Sequence, residues 1–398
     1  MRHFSLLLPF CLALPLHAET LSQELGRTGL AAVEARLSAL AAPSDEERFT
    51  LGGVRFLRAV EISFQDRWRA GLTDNTGMIP FLRLPIPPNP APDAFRPALI
   101  VEMFAKAGDK LDQARATLVA IPETSGFGAE IALDDLWFDV NGNGAREPEE
   151  TLVRVLGSTL AGADTGGPAG APPAPTIRFD AADAAWLAAY ADMLAAFCDL
   201  VRAYDPTEPV TRVLDARAAM AKLGPPEGNL IFGAPRVPDE FDLIAMVLAA
   251  LDQQPDKARM AAMQSHLLDM IAQNRAFWTR VARETDNDRE WLPNATQVSV
   301  LGIAVPPEAG PLWLAVLDEM EAVLNGQKLI PFWRAGPPAG INLAKVFADP
   351  RPMDLAGWIQ GWAVVPYLEA GSLASPATLD AFDEAVSGES MLFALYFN

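Results

Sequence analysis

Proline and glycine constrain this chain more than any other residue types, because they mark where regular secondary structure has to stop. The sequence contains 34 prolines and 28 glycines in 398 residues. Residues 79–92 (IPFLRLPIPPNPAP) cannot form a helix, since proline lacks the amide donor and fixes φ. Residues 161–175 contain only Ala, Gly, Pro, Asp and Thr, which cannot fill a core. We therefore predict an extended connector at 79–92. We also predict a linker or surface loop at 161–175, between an N-terminal helical region (19–160) and a C-terminal helical region (176–398).

Between these segments, apolar residues recur at the spacing of amphipathic helices. Residues 20–41 show this spacing, and Ser44 with Glu47 forms a capping-box pattern that predicts a second helix running to about Gly71. Further helices are predicted at 93–120, after Asp180, at 241–252, from Pro255 onward and at 310–324. Strand signals are weak and confined to 297–305 and 328–333. No fixed repeat period is present. The prediction is a mainly α fold, an irregular stack of helical hairpins with few short strands, whose apolar tail at 391–397 docks into the core.

The N-terminus has the order of a secretory signal peptide. Basic Arg2 precedes an apolar run at 4–16, and Ala18 offers a small residue at a cleavage site. The run is too short to cross a bilayer, and no later stretch has the roughly 18 uncharged apolar residues that a span requires. We therefore predict that residues 1–18 are a signal peptide. The mature chain would be periplasmic or secreted, with no membrane span after cleavage.

The charge of the chain narrows the class of partner. The formal net charge is −20, while half of the residues are hydrophobic, which is enough for a sizeable core. An acidic surface repels phosphate backbones and anionic lipid heads. We therefore expect no nucleic-acid partner. A protein or small-molecule ligand of unknown identity remains open.

Cysteine and histidine counts exclude several kinds of site. Once residues 1–18 are removed, only Cys198 and His266 remain. An internal disulfide, a Cys-x-x-Cys-His haem attachment and zinc sites built from several Cys or His side chains are excluded. His266 flanks an apolar stripe, which predicts a histidine at the boundary of the core and not a catalytic one. Cys198 is expected to pack as a small apolar residue.

One stretch carries recognisable chemistry, the twelve residues DVNGNGAREPEE at 139–150. Oxygen-bearing side chains occupy positions 1, 3, 5, 9 and 12, and Gly144 occupies position 6, which is the spacing that a calcium ion requires. The stretch resembles an EF-hand calcium loop, and more closely the solitary Asp-x-Asn-Gly-Asn-Gly loops of exported bacterial proteins. This resemblance implies one structural calcium ion with six ligand residues: Asp139, Asn141, Asn143, the carbonyl of Ala145, Glu147 (directly or through water) and Glu150.

Two departures from the EF-hand pattern suggest a structural clip and not a sensor. Position 8, which is usually aliphatic and pairs with a partner loop, is Arg146. No second loop is present, since the stretch that begins at Asp286 has Trp291 at position 6, and we interpret it as a solvated turn. Sensor opening depends on paired loops. Affinities on the order of 10⁻⁴ to 10⁻³ M are typical of extracellular calcium modules. The alternative is an Asn- and Gly-rich turn without metal.

No stretch specifies a catalytic mechanism, so we expect a calcium-stabilised, non-enzymatic binding or scaffold module. The alternative is a carboxylate-dependent hydrolase or lyase of a helical-barrel type acting on carbohydrate, with some of the nine tryptophans lining a cleft. An apolar-ligand carrier is a third possibility. Most tryptophans lie in apolar patterns that favour core packing. In particular, we predict a core position for Trp358 and Trp362 and a buried connector around Trp333.

Overall fold

The computed structural model describes residues 19–73, 82, 84–155, 174–224, 239–302 and 304–397. The predicted signal peptide (1–18) lies outside the described residues, and of the predicted linker only residues 174 and 175 are described. The described part of the protein is 59% helical, with 12 helices and a few short strands in two small sheets. The predicted mainly α fold class is therefore confirmed.

The elements follow one another along the chain in the order given by their numbers. The helices are α1 (Leu21–Ser38), α2 (Asp45–Arg69), α3 (Ala98–Leu118), α4 (Ala181–Ala203), α5 (Thr207–Ala221), α6 (Asp239–Leu251), α7 (Lys257–Val281), α8 (Ala309–Leu324), α9 (Leu343–Ala348), α10 (Leu355–Gln360), α11 (Ala377–Ala385) and α12 (Ser390–Phe397). The strands are β1 (Ala129–Ala132), β2 (Thr176–Phe179), β3 (Ile330–Pro331), β4 (Ala339–Ile341) and β5 (Leu368–Ala370). Strands β1 and β2 pair antiparallel, and β3, β4 and β5 form an antiparallel sheet in that order.

Local sequence signals set several helix N-termini. At the start of α2, Ser44 Oγ accepts from Glu47 N (3.2 Å), and a Glu47 side-chain oxygen accepts from Ser44 N (2.8 Å), so the predicted capping box is confirmed. Helix α3 begins at Ala98, later than predicted, because Pro97 occupies its N-cap and a proline disfavours helical φ and ψ in the residue before it. The predicted strand at 297–305 is wrong, since the described residues there form turns with one bridge from Ser299 to Glu290.

Helix α4 lies at the centre of the packing, against α3 on one side and α7 on the other. Most of its alanines are buried, and such small side chains let neighbouring helices approach closely. Because β1 also pairs with β2, elements before and after 161–175 pack directly on one another. By length and composition alone, α4 is long and apolar enough to cross a membrane. However, 61% of its apolar 18-residue stretch is buried inside the protein, and a core helix has the same length and composition.

The C-terminal tail is part of the core. Phe397 is buried, and its ring lies 5.0 Å from that of Trp278. Asn274 Nδ2 donates to the Phe397 carbonyl (2.7 Å), while Asn274 Oδ1 accepts from Trp313 Nε1 (3.0 Å). The apolar tail is therefore docked as predicted, and one buried asparagine satisfies polar groups on two elements.

Two tryptophans that we predicted to be buried lie on the surface instead. Trp333 is 71% exposed and Trp362 is 57% exposed. Trp333 follows β3, an edge strand, and the Arg334 guanidinium lies 4.9 Å from its ring centroid. Trp362 lies beyond the end of α10, because Gly361 adopts φ 121° and stops the helix one residue earlier. Trp358 and Trp362 therefore do not share a helical face.

Candidate metal centre

The loop at 139–150 is closed at its base by backbone hydrogen bonds between its two flanks. Phe138 N donates to Glu150 O (2.8 Å) and Leu152 N donates to Leu136 O (2.8 Å). Trp137 forms an antiparallel bridge with Thr151. The segment that enters the loop is therefore extended and not the end of a helix, in contrast to the helix-loop-helix arrangement of an EF-hand.

Apolar residues in and beside the loop anchor it to the N-terminal helices. Phe138 and Val140 are buried, and the Phe138 ring lies edge-on to Phe64 of α2 at 5.2 Å. The Trp137 indole nitrogen donates to the Leu25 carbonyl of α1 (3.1 Å). Leu136, Trp137, Phe138 and Val140 are buried, whereas Asp139 is only partly buried, so the carboxylate lies in the loop between side chains that belong to the core.

The first half of the loop turns tightly around the Asp139 carboxylate. Gly144 N donates to Asp139 Oδ2 (3.0 Å). Asn143 N donates to Asn141 Oδ1 (2.9 Å), and Ala145 N donates to Asn143 Oδ1 (2.7 Å). Gly144 adopts φ 72°, a left-handed conformation that glycine adopts without strain. The predicted role of Gly144 in the turn is consistent with this geometry.

The second half of the loop brings two glutamates back toward the first. Glu147 accepts from both asparagine side chains, with Asn141 Nδ2 at 3.2 Å and Asn143 Nδ2 at 3.0 Å. Glu150 is fully buried and accepts from Val140 N (2.8 Å) and Glu147 N (3.3 Å). Burial raises the pKa of the Glu150 carboxyl above its ordinary value. Asp139, Asn141, Asn143, Glu147 and Glu150 thus belong to one hydrogen-bonded ring.

Among the residues that the structure describes, one oxygen in this ring has no hydrogen-bond partner. Asp139 Oδ1 is buried and makes no hydrogen bond. A buried carboxylate oxygen without a donor is unfavourable, and a cation would satisfy it. The asparagine oxygens accept backbone N–H groups, but an amide oxygen has two lone pairs and can bind a cation at the same time. The donor set therefore fits a hard cation such as calcium, which prefers oxygen ligands.

The carboxylates alone do not form a metal site. In the part of the chain that the structure describes, no group of three or more His, Cys, Asp or Glu side chains is arranged to hold a metal ion. A cation in the loop would need the oxygens of Asn141, Asn143 and the Ala145 carbonyl in addition to its carboxylates. Arg146 is directed elsewhere, since its guanidinium donates to the Asp134 carbonyl. The side chain at loop position 8, which pairs with a partner loop in EF-hands, therefore binds the backbone of this chain instead.

Two residues that the sequence did not indicate also contact the loop. Glu61 Oε1 accepts from Asp139 N (2.7 Å), and Gln65 Nε2 donates to Asp139 O (2.7 Å). Both lie on α2, more than 70 positions earlier in the chain. No local motif relates them to the loop, so only the packing of α2 against residues 138–139 identifies them.

An acidic cluster lies where α4 begins and α7 ends. Burial raises the pKa of Glu284 to about 7 and, with the charge of Asp180 as a further cause, raises the pKa of Asp183 well above its ordinary value. Asp180 and Glu284 also line an open pocket of about 240 Å³ with Arg280 and Arg283. Asp183 accepts from Asp180 N (3.0 Å) as part of the α4 capping box. Glu284 is about 100 residues from Asp180 and Asp183 in the sequence, so no local motif could have predicted that the three carboxylates form one cluster.

His266 lies at the boundary of the core, as predicted, but it faces three carboxylates that the sequence did not reveal. Its Nδ1 lies 3.1 Å from Asp192 Oδ1, and its Nε2 lies 3.6 Å from both Asp112 Oδ1 and Asp199 Oδ2. The hydrogen bond to Asp192 is the main reason that the pKa of His266 is raised. Cys198 is buried, and burial raises the pKa of its thiol to about 12, consistent with an unreactive packing role.

Comparison with known proteins adds no assignment. No family model matches the chain, and neither a characterised protein nor a solved structure shows significant similarity to it.

Proposed function

We propose that residues 139–150 bind one calcium ion, which acts as a structural clip in an exported protein with a non-enzymatic binding or scaffold role. The observation that carries the proposal is the buried Asp139 Oδ1, which has no hydrogen-bond partner. The surrounding ring of Asn141, Asn143, Glu147 and Glu150 supplies further oxygens. When bound, calcium supplies positive charge that offsets the repulsion between the carboxylates. It has no redox chemistry and takes no part in a reaction here.

The chain's own residues explain why the clip would be structural. The base of the loop is closed by backbone bonds, and its flanks are anchored on α1 and α2. A cation that holds positions 139 and 150 together would therefore stabilise the packing of residues 136–140 against these helices. Because the loop has no partner loop and Arg146 binds the chain's own backbone, the proposal includes no sensor-like opening.

Export agrees with this proposal, because calcium modules of modest affinity suit compartments where calcium is abundant. The predicted signal peptide at 1–18 places the mature N-terminus near Glu19. Intact-mass analysis of the protein secreted by its host checks this expectation. A mature protein that retains residues 1–18 would contradict it.

Exposed aromatic and aliphatic side chains in the C-terminal region are available for a binding role. Trp333, Ile359, Trp362 and Val365 are all exposed, and an interaction site would require such side chains to form a contiguous patch. The partner, a protein or a small molecule, is not identified by these residues. The carboxylate-dependent hydrolase or lyase would require acidic groups and exposed tryptophans in one cleft. The pocket that Asp180 and Glu284 line contains no tryptophan, so it does not favour this alternative.

The test is the dependence of thermal stability on calcium. If the dissociation constant is about 10⁻⁴ M, about 10 mM calcium should stabilise the folded protein by about 2.7 kcal/mol relative to excess chelator. Asp139→Ala should abolish this gain. Asp286→Ala changes the net charge equally in the solvated turn and should preserve the gain. Magnesium at the same concentration should have a smaller effect, because it gives up its water reluctantly. A wild-type melting temperature that is the same in calcium and chelator would refute the clip.

A further inference from the structure

Helix α2 forms hydrogen bonds to both backbone polar groups of Asp139, the N–H and the C=O. The Glu61 carboxylate accepts from the amide of residue 139 (2.7 Å), while the Gln65 amide donates to its carbonyl (2.7 Å). Glu61 and Gln65 are four residues apart, so they lie on one face of the helix, one turn from each other. Both backbone polar groups of the first loop residue are thus satisfied by one helix.

Phe64, which lies on the same turn of α2, adds an apolar contact to these hydrogen bonds. Phe64 is buried and packs edge-on against Phe138 at 5.2 Å. One helical turn of α2 therefore contacts Phe138 through an aromatic ring and Asp139 through two hydrogen bonds. With its backbone held, the Asp139 side chain stays directed into the loop, where Oδ1 is buried and unpartnered.

The contact continues from Glu61 into the other N-terminal helices. Glu61 is 1% exposed, and its second oxygen is paired with Arg58. Arg58 Nε lies 3.5 Å from Glu34 of α1, and Glu34 is paired with Lys110 of α3 (2.5 Å). A chain of charged side chains therefore links the loop to α1, α2 and α3.

We infer that Glu61 and Gln65 are positioning residues for the calcium ion, an inference that rests on the proposed function. They fix the first ligand residue before the ion binds, so less conformational freedom is lost on binding. By reciprocity, the bound ion stabilises the contact between the loop and α2 and, through Glu61, the packing of α1 and α3. Calcium occupancy is thus coupled to the N-terminal helices and not confined to the loop.

Gln65→Ala is the variant that tests this inference. Replacing Glu61 would remove the acceptor of the Asp139 amide and one of the two carboxylates beside Arg58, and such a variant risks failing to fold. Gln65→Ala removes only one donor to one carbonyl. Gln264→Ala is the matched control, because Gln264 Nε2 makes an equivalent bond to the Leu324 carbonyl (2.8 Å) in the C-terminal region.

Calcium is titrated into the chelator-treated full-length protein by isothermal titration calorimetry, and melting curves are recorded in chelator. We expect both variants to lose similar stability in chelator. Gln65→Ala should also bind calcium about fivefold more weakly, because the backbone ordering of residue 139 then falls on the binding step, while Gln264→Ala binds like the wild type. If the wild type binds calcium and the two variants bind it equally well, the positioning role is wrong. If the wild type binds no calcium, the proposed function itself fails.

Discussion

Two adjacent glycines in α2 should respond in opposite directions to the same substitution. Glycine in a helix interior costs about 0.5–1 kcal/mol relative to alanine. At Gly53, an added Cβ would meet only Leu187 Cδ2 at 3.7 Å, an ordinary contact. At Gly52, it would lie 2.5 Å from Leu118 Cγ and 2.6 Å from its Cδ2. Leu118 is buried at the end of α3, so it has little room to move.

These distances set the expected magnitudes. Gly53→Ala gains the helix preference and should stabilise the protein by up to about 1 kcal/mol. Gly52→Ala gains the same preference but overpacks the contact between α2 and α3, which typically costs about 1–3 kcal/mol. The net change at Gly52 should therefore be a destabilisation of about 1–2 kcal/mol. The two variants differ in composition from the wild type by the same single methyl group.

Urea unfolding followed by circular dichroism measures both effects, with the m-value checked for constancy. Leu118→Ala provides a further test, because the space it opens should accommodate the new Cβ at position 52. In the Leu118→Ala background, Gly52→Ala should cost less than in the wild type, giving a coupling energy between the two sites. If Gly52→Ala is as stable as Gly53→Ala, the close approach of α2 and α3 does not limit residue size, and the reasoning fails.

The remaining predictions concern two titratable groups away from the loop. His266, with its pKa raised mainly by Asp192, should stabilise the protein fully below its unfolded pKa of about 6.5 and lose this contribution as pH rises through its folded pKa. The free energies of unfolding of the wild type and His266→Gln, obtained from melting curves between pH 5 and 9, should therefore differ by about 1.5–3 kcal/mol at low pH and converge at high pH. A difference that does not change with pH would contradict the imidazolium contacts with Asp112, Asp192 and Asp199. Glu284, whose pKa burial raises to about 7, should destabilise the protein increasingly as pH rises from its ordinary pKa to that value. Glu284→Gln, which can still accept from Gln297, should therefore melt higher than wild type at pH 8 and equally near pH 4; a lower melting temperature at pH 8 would refute the buried-carboxylate argument.

The loop at 139–150 illustrates what local sequence can specify. Its internal hydrogen bonds join residues at most ten positions apart, such as Val140 and Glu150. Their positions are therefore related by short spacings within one local motif, which a sequence pattern can contain. The same holds for the α2 capping box, which involves only Ser44 and Glu47.

Other features depended on packing. The loop pattern at 139–150 carried no information about the helix that contacts it, so Glu61 and Gln65 were missed. Likewise, the apolar pattern around His266 predicted its position at the core boundary but not the carboxylates of Asp112, Asp192 and Asp199. Periodicity records which face of a helix is apolar, and it carries no information about which neighbour that face will meet.

The two exposed tryptophans show the same limit on the surface. Trp333 and Trp362 lie in apolar segments, but β3 is at a sheet edge and α10 stops at Gln360, and both side chains are exposed among the residues that the structure describes. The sequence pattern was enough for the mainly α fold class, for most of the long helices and for the capping box of α2, because these rest on contacts between residues close in the chain. The tertiary structure alone decided which buried groups hold the loop, which charges surround His266 and which aromatic residues stay exposed. Those outcomes depend on how distant helices and strands are placed against one another.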